Sequence, residues 1–527
     1  MLVAVVVAEG AGAAVTTIGQ YGTTVIDGRK VFPLVLAKGP ELGSTTPSGA
    51  DALNEVVGAG VNVFKVGPAA RPWWPEDKAD AVEWNREAAE RGVYTWVNLA
   101  TLADAEQGKL KDTRLREVIA LLGNDPALAL WKGADEPHWA GFQPAQLQYA
   151  YCVATSRGEP GWCQQPTDSE HLWVTIQAPR GTASDLAPYS AVTDIHGVDH
   201  YPVTWADRND PDLHEVGLWT DMIASVTPNH AVWTTLQVCA SGSSGPNEGE
   251  FVLPDRRQER YMIYDAILNG ARSLAFYGGN INRCWTPADA ALGWNWTFWD
   301  TVLEGLIDEI NADSPIAPAL VNPGSTQVLT SNDPTTQVIS RAGAGGDLWV
   351  IAARHGGGSQ PVTITGLPPT ATTGTVYTEG RSIAANGGSI TDTFAQWDVH
   401  VYRFDTSPPP PPPVPPSASP PPPAPQPPPP GPPPPAARLV RDTSPPNTRL
   451  TASPPRRTRA HRARFRFVST EAGSRFQCRL DSRRWTACRS PRAYFGLRKG
   501  VHVFRVRARD AAGNTDPSPA VRSWRIR

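Results

Sequence analysis

At 527 residues the chain exceeds one ordinary domain, and about 150 residues per domain points to about three. Hydrophobic residues make up 40 %, enough for real cores, and past the first residues no run is long and apolar enough to cross a membrane. The formal net charge of −3 hides an asymmetry: from Arg438 onward 23 Lys+Arg face 5 Asp+Glu, so that tail carries +18 and the rest −21.

The chain begins with small apolar residues, 1–14, without a basic leader. They read as the end of a secretion signal or as disorder, and 1–19 is set aside on that ground. From there to about residue 320, short β-like runs alternate with helical patterns. The runs are 31–37, 61–66, 94–99, 127–133, 172–177, 194–200, 231–238 and 273–277. Helical patterns lie at 77–91, 114–122, 143–155 and 258–269, and a last one at 296–312. Eight runs with intervening helices predict a (β/α)8 TIM barrel over 20–320 rather than an open sheet.

Residues 321–405 change character. Short strands at 326–329, 337–340, 348–353, 362–364 and 399–404 are broken by turns such as Ser331-Asn332-Asp333-Pro334 and Gly356-Gly357-Gly358, which predicts a small β-sandwich. Residues 406–443 are a Pro-rich linker, a polyproline II spacer without backbone donors. Beyond it, 444–527 alternates apolar and polar residues at 465–468, 476–480 and 501–508, a second and basic β-sandwich.

The six cysteines fall into local pairs, Cys152 with Cys163, Cys239 with Cys284 and Cys478 with Cys488, and are expected as disulfides in an oxidising compartment, the two barrel pairs stapling the cleft rim. No CxxC or His cluster suggests a metal, and no P-loop or dinucleotide fingerprint suggests a nucleotide; no cofactor is expected. His196 and His200, four apart, would need a third ligand to hold a metal. The 19 Trp suit sugar stacking, although many of them are expected as plain core.

In a TIM barrel the chemistry sits where the strands end. The fourth run leads into Trp131-Lys132-Gly133-Ala134-Asp135-Glu136-Pro137-His138-Trp139, the densest cluster of candidate groups. The second ends near Lys65, the third at Asn98, the sixth at Asp199-His200-Tyr201-Pro202, the seventh at Gln237 and the eighth at Tyr277. Cleaving a glycosidic bond needs an acid and a second carboxylate, ~5 Å away for retention or ~6.5–9.5 Å for inversion. Glu136 is the candidate acid, desolvated by Trp131 and Trp139 and aimed by Pro137, which stops the strand. Asp199 is the first choice for its partner. Asp135 is expected to point elsewhere or to support the loop, and Glu248 or Glu250 could swing in from the loop after the seventh run. The bland alternatives are a loop or helix-capping carboxylate for Glu136 and a structural hydrogen-bonding residue for Asp199.

Ile26-Asp27-Gly28-Arg29-Lys30-Val31-Phe32-Pro33, Gly58-Ala59-Gly60-Val61-Asn62-Val63, Asp135-Glu136-Pro137 and Gly197-Val198-Asp199-His200-Tyr201-Pro202 resemble, in this order, the opening, second, fourth and sixth strands of clan A glycoside hydrolase barrels. The resemblance implies that Glu136 is the acid/base. From their places at the strand ends, Lys65, Asn98, His138, Trp139, Tyr201, Gln237 and Tyr277 are the candidate substrate contacts, with a carbohydrate as partner. The resemblance also implies a nucleophilic Glu at the end of the seventh strand, where this chain has Gln237. An amide cannot form the glycosyl ester, so the retaining mechanism is not supported. Two readings follow: a secreted or cell-surface glycosidase, or an inactive glycan-binding or scaffold barrel. Phe476-Gln477-Cys478-Arg479-Leu480-Asp481, Trp485, Cys488 and Ala508-Arg509-Asp510-Ala511-Ala512-Gly513-Asn514 resemble bacterial Ig-like surface modules. The Arg excess there suits an anionic wall polymer or acidic polysaccharide better than a nucleic acid. The alternative is a merely solvated face.

Overall fold

The computed structural model describes residues 12–406 and 444–526, except 169, 205–210, 229, 242–250, 323 and 326 in the first stretch and 455–456, 459–462, 472–473, 482, 484, 489, 491, 495–496 and 511 in the second. The apolar start, the run Gly242-Ser243-Ser244-Gly245, Glu248, Glu250 and the proline run therefore lie almost wholly outside the described residues. Two compact units emerge, 1–410 and 411–527.

The first unit holds a closed parallel barrel. Its strands are Leu34–Leu36, Val63–Val66, Tyr94–Asn98, Leu128–Asp135, Leu172–Gln177, Ile195–Asp199, Ala231–Gln237 and Ser273–Tyr277, one within or overlapping each expected run. These strands are buried on both faces, which is why they read as continuous apolar runs. Inward side chains Val35, Val63, Trp96, Leu130, Val174, Ile176, Ile195, Trp233 and Ala275 form a dry plug inside the barrel. Strand alternation places Lys65, Lys132 and Tyr277 one step, and Asp199 two steps, further along the same inner face.

The four expected barrel helices are present as Pro75–Glu90, Leu110–Leu122, Pro144–Thr155 and Arg256–Leu268. The last helix opens on Asp255, whose side chain accepts from the Arg257 and Gln258 backbone N–H groups while Gln258 reaches back to the cap. The expected stretch 296–312 is broken into Trp296–Phe298, a π-helical turn Trp299–Leu303 and Glu304–Ile310. Helices Ala52–Ala59 and Glu215–Val226 were not anticipated. Between the fifth and sixth strands only the turn Ala183–Leu186 and the 3-10 segment Ala187–Val192 intervene.

Two β-bulges shape the fourth strand, one against the third at Thr95/Trp96 and one against the fifth between Lys132 and Asp135. Gly133 sits inside the second bulge. A Cβ there would meet Trp173 Nε1 at 1.9 Å, so the indole closes on bare backbone.

Residues 330–405 form the expected sandwich. A three-stranded sheet (Thr330–Ser331, Gln360–Thr365, Ser389–Phe394) faces a five-stranded one (Thr336–Ala342, Asp347–Arg354, Val399–Asp405, Thr373–Val376, Arg381–Ala384). The strand expected at 326–329 falls at Thr330–Ser331, with Thr326 outside the described residues. The sandwich is docked on the barrel. Arg260 donates to Glu309 at 2.7 Å and to the Val399 carbonyl at 2.6 Å, and Tyr377 Oη donates to the Glu309 carbonyl at 2.9 Å. Asn269 and Gln337 exchange amide hydrogen bonds at 2.9 and 3.1 Å.

The second unit pairs a three-stranded sheet (Thr448–Ala452, Ala463–Ser469, Arg492–Tyr494) with a five-stranded one (Arg457–Thr458, Ala520–Ile526, Gly500–Arg509, Arg475–Leu480, Thr486–Cys488). Its core is aromatic: Phe465 stacks on Phe504 with centroids 3.8 Å apart, and Trp524 meets Phe465 edge-on.

All three expected disulfides form, Cys152–Cys163, Cys239–Cys284 and Cys478–Cys488. Cys239–Cys284 ties the loop after the seventh strand to the turn after the eighth, on the cleft rim. Cys152–Cys163 does not staple the rim. Cys152 is in the last turn of the helix Pro144–Thr155, which runs back from the rim, so the bond lies at the opposite end of the barrel.

Candidate active site

The fourth strand ends at Asp135, and Glu136 adopts a left-handed conformation, φ 46°, uncommon for a residue with a side chain. Its N–H donates to the Ile176 carbonyl at 2.7 Å and its carbonyl accepts from Ala140 N–H at 2.9 Å, so the strained turn is fixed at both ends. The bulge and this turn, rather than Pro137, aim the carboxylates. They also correct the expectation for Asp135. Three carboxyl groups, Asp135, Glu136 and Asp199, gather at one end of the barrel, near enough that each alters the ionisation of Asp199.

Their tendencies diverge. Burial pushes Glu136 up from the usual carboxylate range, the Asp135 charge adds to it, and contact with the Asp199 carboxyl works the other way. Burial, then Glu136 and Asp135, push Asp199 up to about 8. Its Oδ2 accepts from Tyr201 Oη at 3.0 Å, while among the described residues its buried Oδ1 has no hydrogen-bond partner. Asp135 goes down. Its crowded setting opposes the charge, but Lys132 and Lys65 outweigh that, and Lys132 forms an ion pair with it. Asp135 is 51 % exposed, so the ion pair opens onto the cleft.

Beneath the carboxylates lie two amines. Lys65 Nζ and Lys132 Nζ sit 5.9 and 5.8 Å from the centroid of the Trp96 ring, which itself meets Trp233 edge-on. Burial and then the Lys132 charge bring Lys65 down to about 8. Tyr201 and Tyr277 stack with centroids 5.6 Å apart at 19°, forming an aromatic wall beside Asp199. Burial first, then the Asp199 charge, hold the Tyr201 hydroxyl protonated, well above its usual range.

The structure thus brings together Glu136, Asp199, Lys65, Tyr201 and Tyr277 of the expected residues, and adds Asp135, Lys132 and Trp96. It does not bring Asn98 or Gln237 to the carboxylates by their polar atoms. Asn98 Nδ2 donates to the Pro68 carbonyl at 2.6 Å and its Oδ1 accepts from Ala100 N–H. Gln237 is fully buried: Oε1 accepts from Val203 N–H at 3.1 Å, and Nε2 donates to the Val203 and Val252 carbonyls. Its amide ties the loops after the sixth and seventh strands together.

Trp131 does not desolvate Glu136. It faces the helix layer, where its Nε1 donates to Asp168 Oδ2 at 2.7 Å and its ring meets His171. Trp139 is 57 % exposed on the rim, with the Arg180 guanidinium 5.1 Å from its ring centroid, and His138 lies beside it against Tyr189. Most other indoles are core, among them Trp173, Trp296, Trp299 and Trp349. His196 is buried and held neutral, its pKa brought down to about 3 by burial, and His200 pairs with Glu215 at 2.8 Å. Among the described residues no group of three His, Cys, Asp or Glu is placed to hold a metal.

No family model and no curated protein matches the chain. Solved structures do resemble it in fold. One titled a glycoside hydrolase is 11 % identical over 74 % of this chain and 97 % of its own, with a TM-score of 0.46. A family 5 glycoside hydrolase from Bacteroides vulgatus is 12 % identical over 74 % and 94 %, TM-score 0.45. An alpha-amylase from Geobacillus thermoleovorans in complex with acarbose is 11 % identical over 67 % and 90 %, TM-score 0.41. The barrel stands on its own strand pairing, and no residue role is taken from these structures.

Proposed function

We propose that the barrel is a glycoside hydrolase acting on a poly- or oligosaccharide, with Glu136 as general acid and Asp199 as the second carboxyl. The observation that carries this is the gathering of three carboxyl groups where the fourth and sixth strands end, with Glu136 and Asp199 pushed up and Asp135 down. Such a split keeps a proton on Asp199, pushed up to about 8, and raises Glu136 beside it, while Asp135 is held ionised. Glu136, partly exposed at the strand end, protonates the departing glycosidic oxygen and is reloaded from Asp199, whose freed carboxylate then takes the proton of the attacking water. Asp135, held ionised by Lys132, faces the positive charge that develops on the sugar. Tyr277 and Tyr201 flank the ring, and Trp139 extends the rim. Among the described residues the seventh strand ends in no carboxylate, which favours direct attack by water over a glycosyl-enzyme ester. Three disulfides fit a secreted or cell-surface setting, and the basic second unit would serve as an Ig-like surface module tethered by the proline run.

A second reading, a glycan-binding barrel without catalysis, is favoured by one observation: every polar atom of the Gln237 amide is taken up by backbone. Reducing-end release on a polysaccharide panel separates the two. The enzyme reading expects release by the native chain and its loss in Glu136→Gln with binding kept; binding without release by either chain supports the second.

A further inference from the structure

The second unit carries a feature that the barrel does not explain. On the outer face of its five-stranded sheet the register sets Arg475 directly opposite Arg509 and Arg479 directly opposite Arg505, with Arg507 between them opposite Gln477. Side chains two apart on a strand share a face about 7 Å from one another, and neighbouring strands lie about 4.8 Å apart. Like charges directly opposite across a ladder are destabilising. Here they occur twice in one strand pair. Of the described aspartates in this unit, Asp481 pairs with His502, Asp510 bonds Asn514 and Asp516 accepts from the Thr448 N–H. Among the described residues none of the five arginines has an ion pair and the buried Nε of Arg479 has no hydrogen-bond partner. Trp485 lies among them, with the Arg479 and Arg507 guanidiniums 5.2 and 4.5 Å from its centroid.

We propose that this arginine face binds an anionic polysaccharide that carries carboxylates along its length. An extended polyanion laid across the strands neutralises paired guanidiniums that have no ion pair among the described residues. Guanidinium forks match carboxylates two bonds at a time. The Cys478–Cys488 disulfide sets the unit in an oxidising compartment, where polysaccharide rather than nucleic acid is the polyanion at hand.

The test uses the full chain and polygalacturonate as probe, with neutral dextran and double-stranded DNA as the other arms, over a range of salt concentrations. Arg475→Gln/Arg505→Gln/Arg509→Gln removes three outward charges, and an unchanged melting profile confirms that the unit is folded. The expected result is salt-sensitive binding of polygalacturonate and none of dextran. The triple variant should bind on the order of tenfold more weakly, its salt slope lowered by about 2 for three lost contacts. The matching Arg→Lys triple should keep most of the binding. Equal binding by the native chain and the Gln triple overturns the proposal, as does a Lys triple as weak as the Gln triple. Tighter binding of DNA than of polygalacturonate at matched salt overturns the choice of occupant.

Discussion

Replacing Asp199 by Asn should stabilise the first unit, and the gain should depend on pH. In the folded chain burial and two neighbouring carboxylates oppose the Asp199 charge and push its carboxyl up from the usual 3.8 to about 8. A carboxyl whose folded pKa is raised binds its proton more tightly than the unfolded chain does, so native stability falls as pH rises from about 4 to about 8. At 1.36 kcal/mol per unit the full shift would amount to about 6 kcal/mol, a ceiling for an isolated site. The open cleft screens the charges, and Glu136 shares the titration, so a gain of roughly 2–3 kcal/mol at pH 8 is expected. Asn keeps the shape and can still accept from Tyr201 while carrying no charge. Urea titrations of both chains between pH 4 and pH 9 read this directly: little difference near pH 4, a gap that widens through neutrality, and a plateau above pH 8. An Asn variant that is less stable at every pH, or a gap independent of pH, would refute the electrostatic account of the site.

Removing the rim staple with Cys239→Ser/Cys284→Ser reopens a loop of 45 residues, which in the chain-entropy account costs about 4 kcal/mol; thermal melts with and without reductant should show the variant matching the reduced native chain. Gln237→Glu should not create activity. It sets a carboxyl against the Val203 and Val252 carbonyls that the amide now donates to, so a loss of about 1–3 kcal/mol in denaturant titrations is expected. A gain in hydrolysis would instead mark the seventh strand as the seat of a lost nucleophile.

The barrel was legible because each of its strands is buried on both faces and so appears as an apolar run between turns. The helix Glu215–Val226 was not, because its strand partners hide only one stripe of it, and the fifth connection shrinks to turns around Pro188. The position of Glu136 directly after the fourth strand was legible. Asp135 was misread because simple alternation sends neighbours to opposite sides, and nothing in Lys132-Gly133-Ala134-Asp135 announces the bulge that resets the count. Lys132 passed unnoticed as one polar residue in an apolar run, although a buried lysine demands a partner and Asp135 is three residues on. Gln237 and Asn98 have the inward parity of site residues, but their amides answer loop backbone instead, a choice made by tertiary packing and invisible in a string of residues. Trp131 follows the same rule in reverse: next to the inward Lys132, it must face out.

The most direct test of the central claim is a single comparison, reducing-end release by the native chain and by Glu136→Gln on a substrate both bind. A positioned acid contributes about 10²–10⁴ in rate, so the variant should lose that factor while its affinity and melting profile stay unchanged. Equal release by the two chains would contradict the assignment of Glu136 and with it the reading of the three carboxyl groups as an acid site.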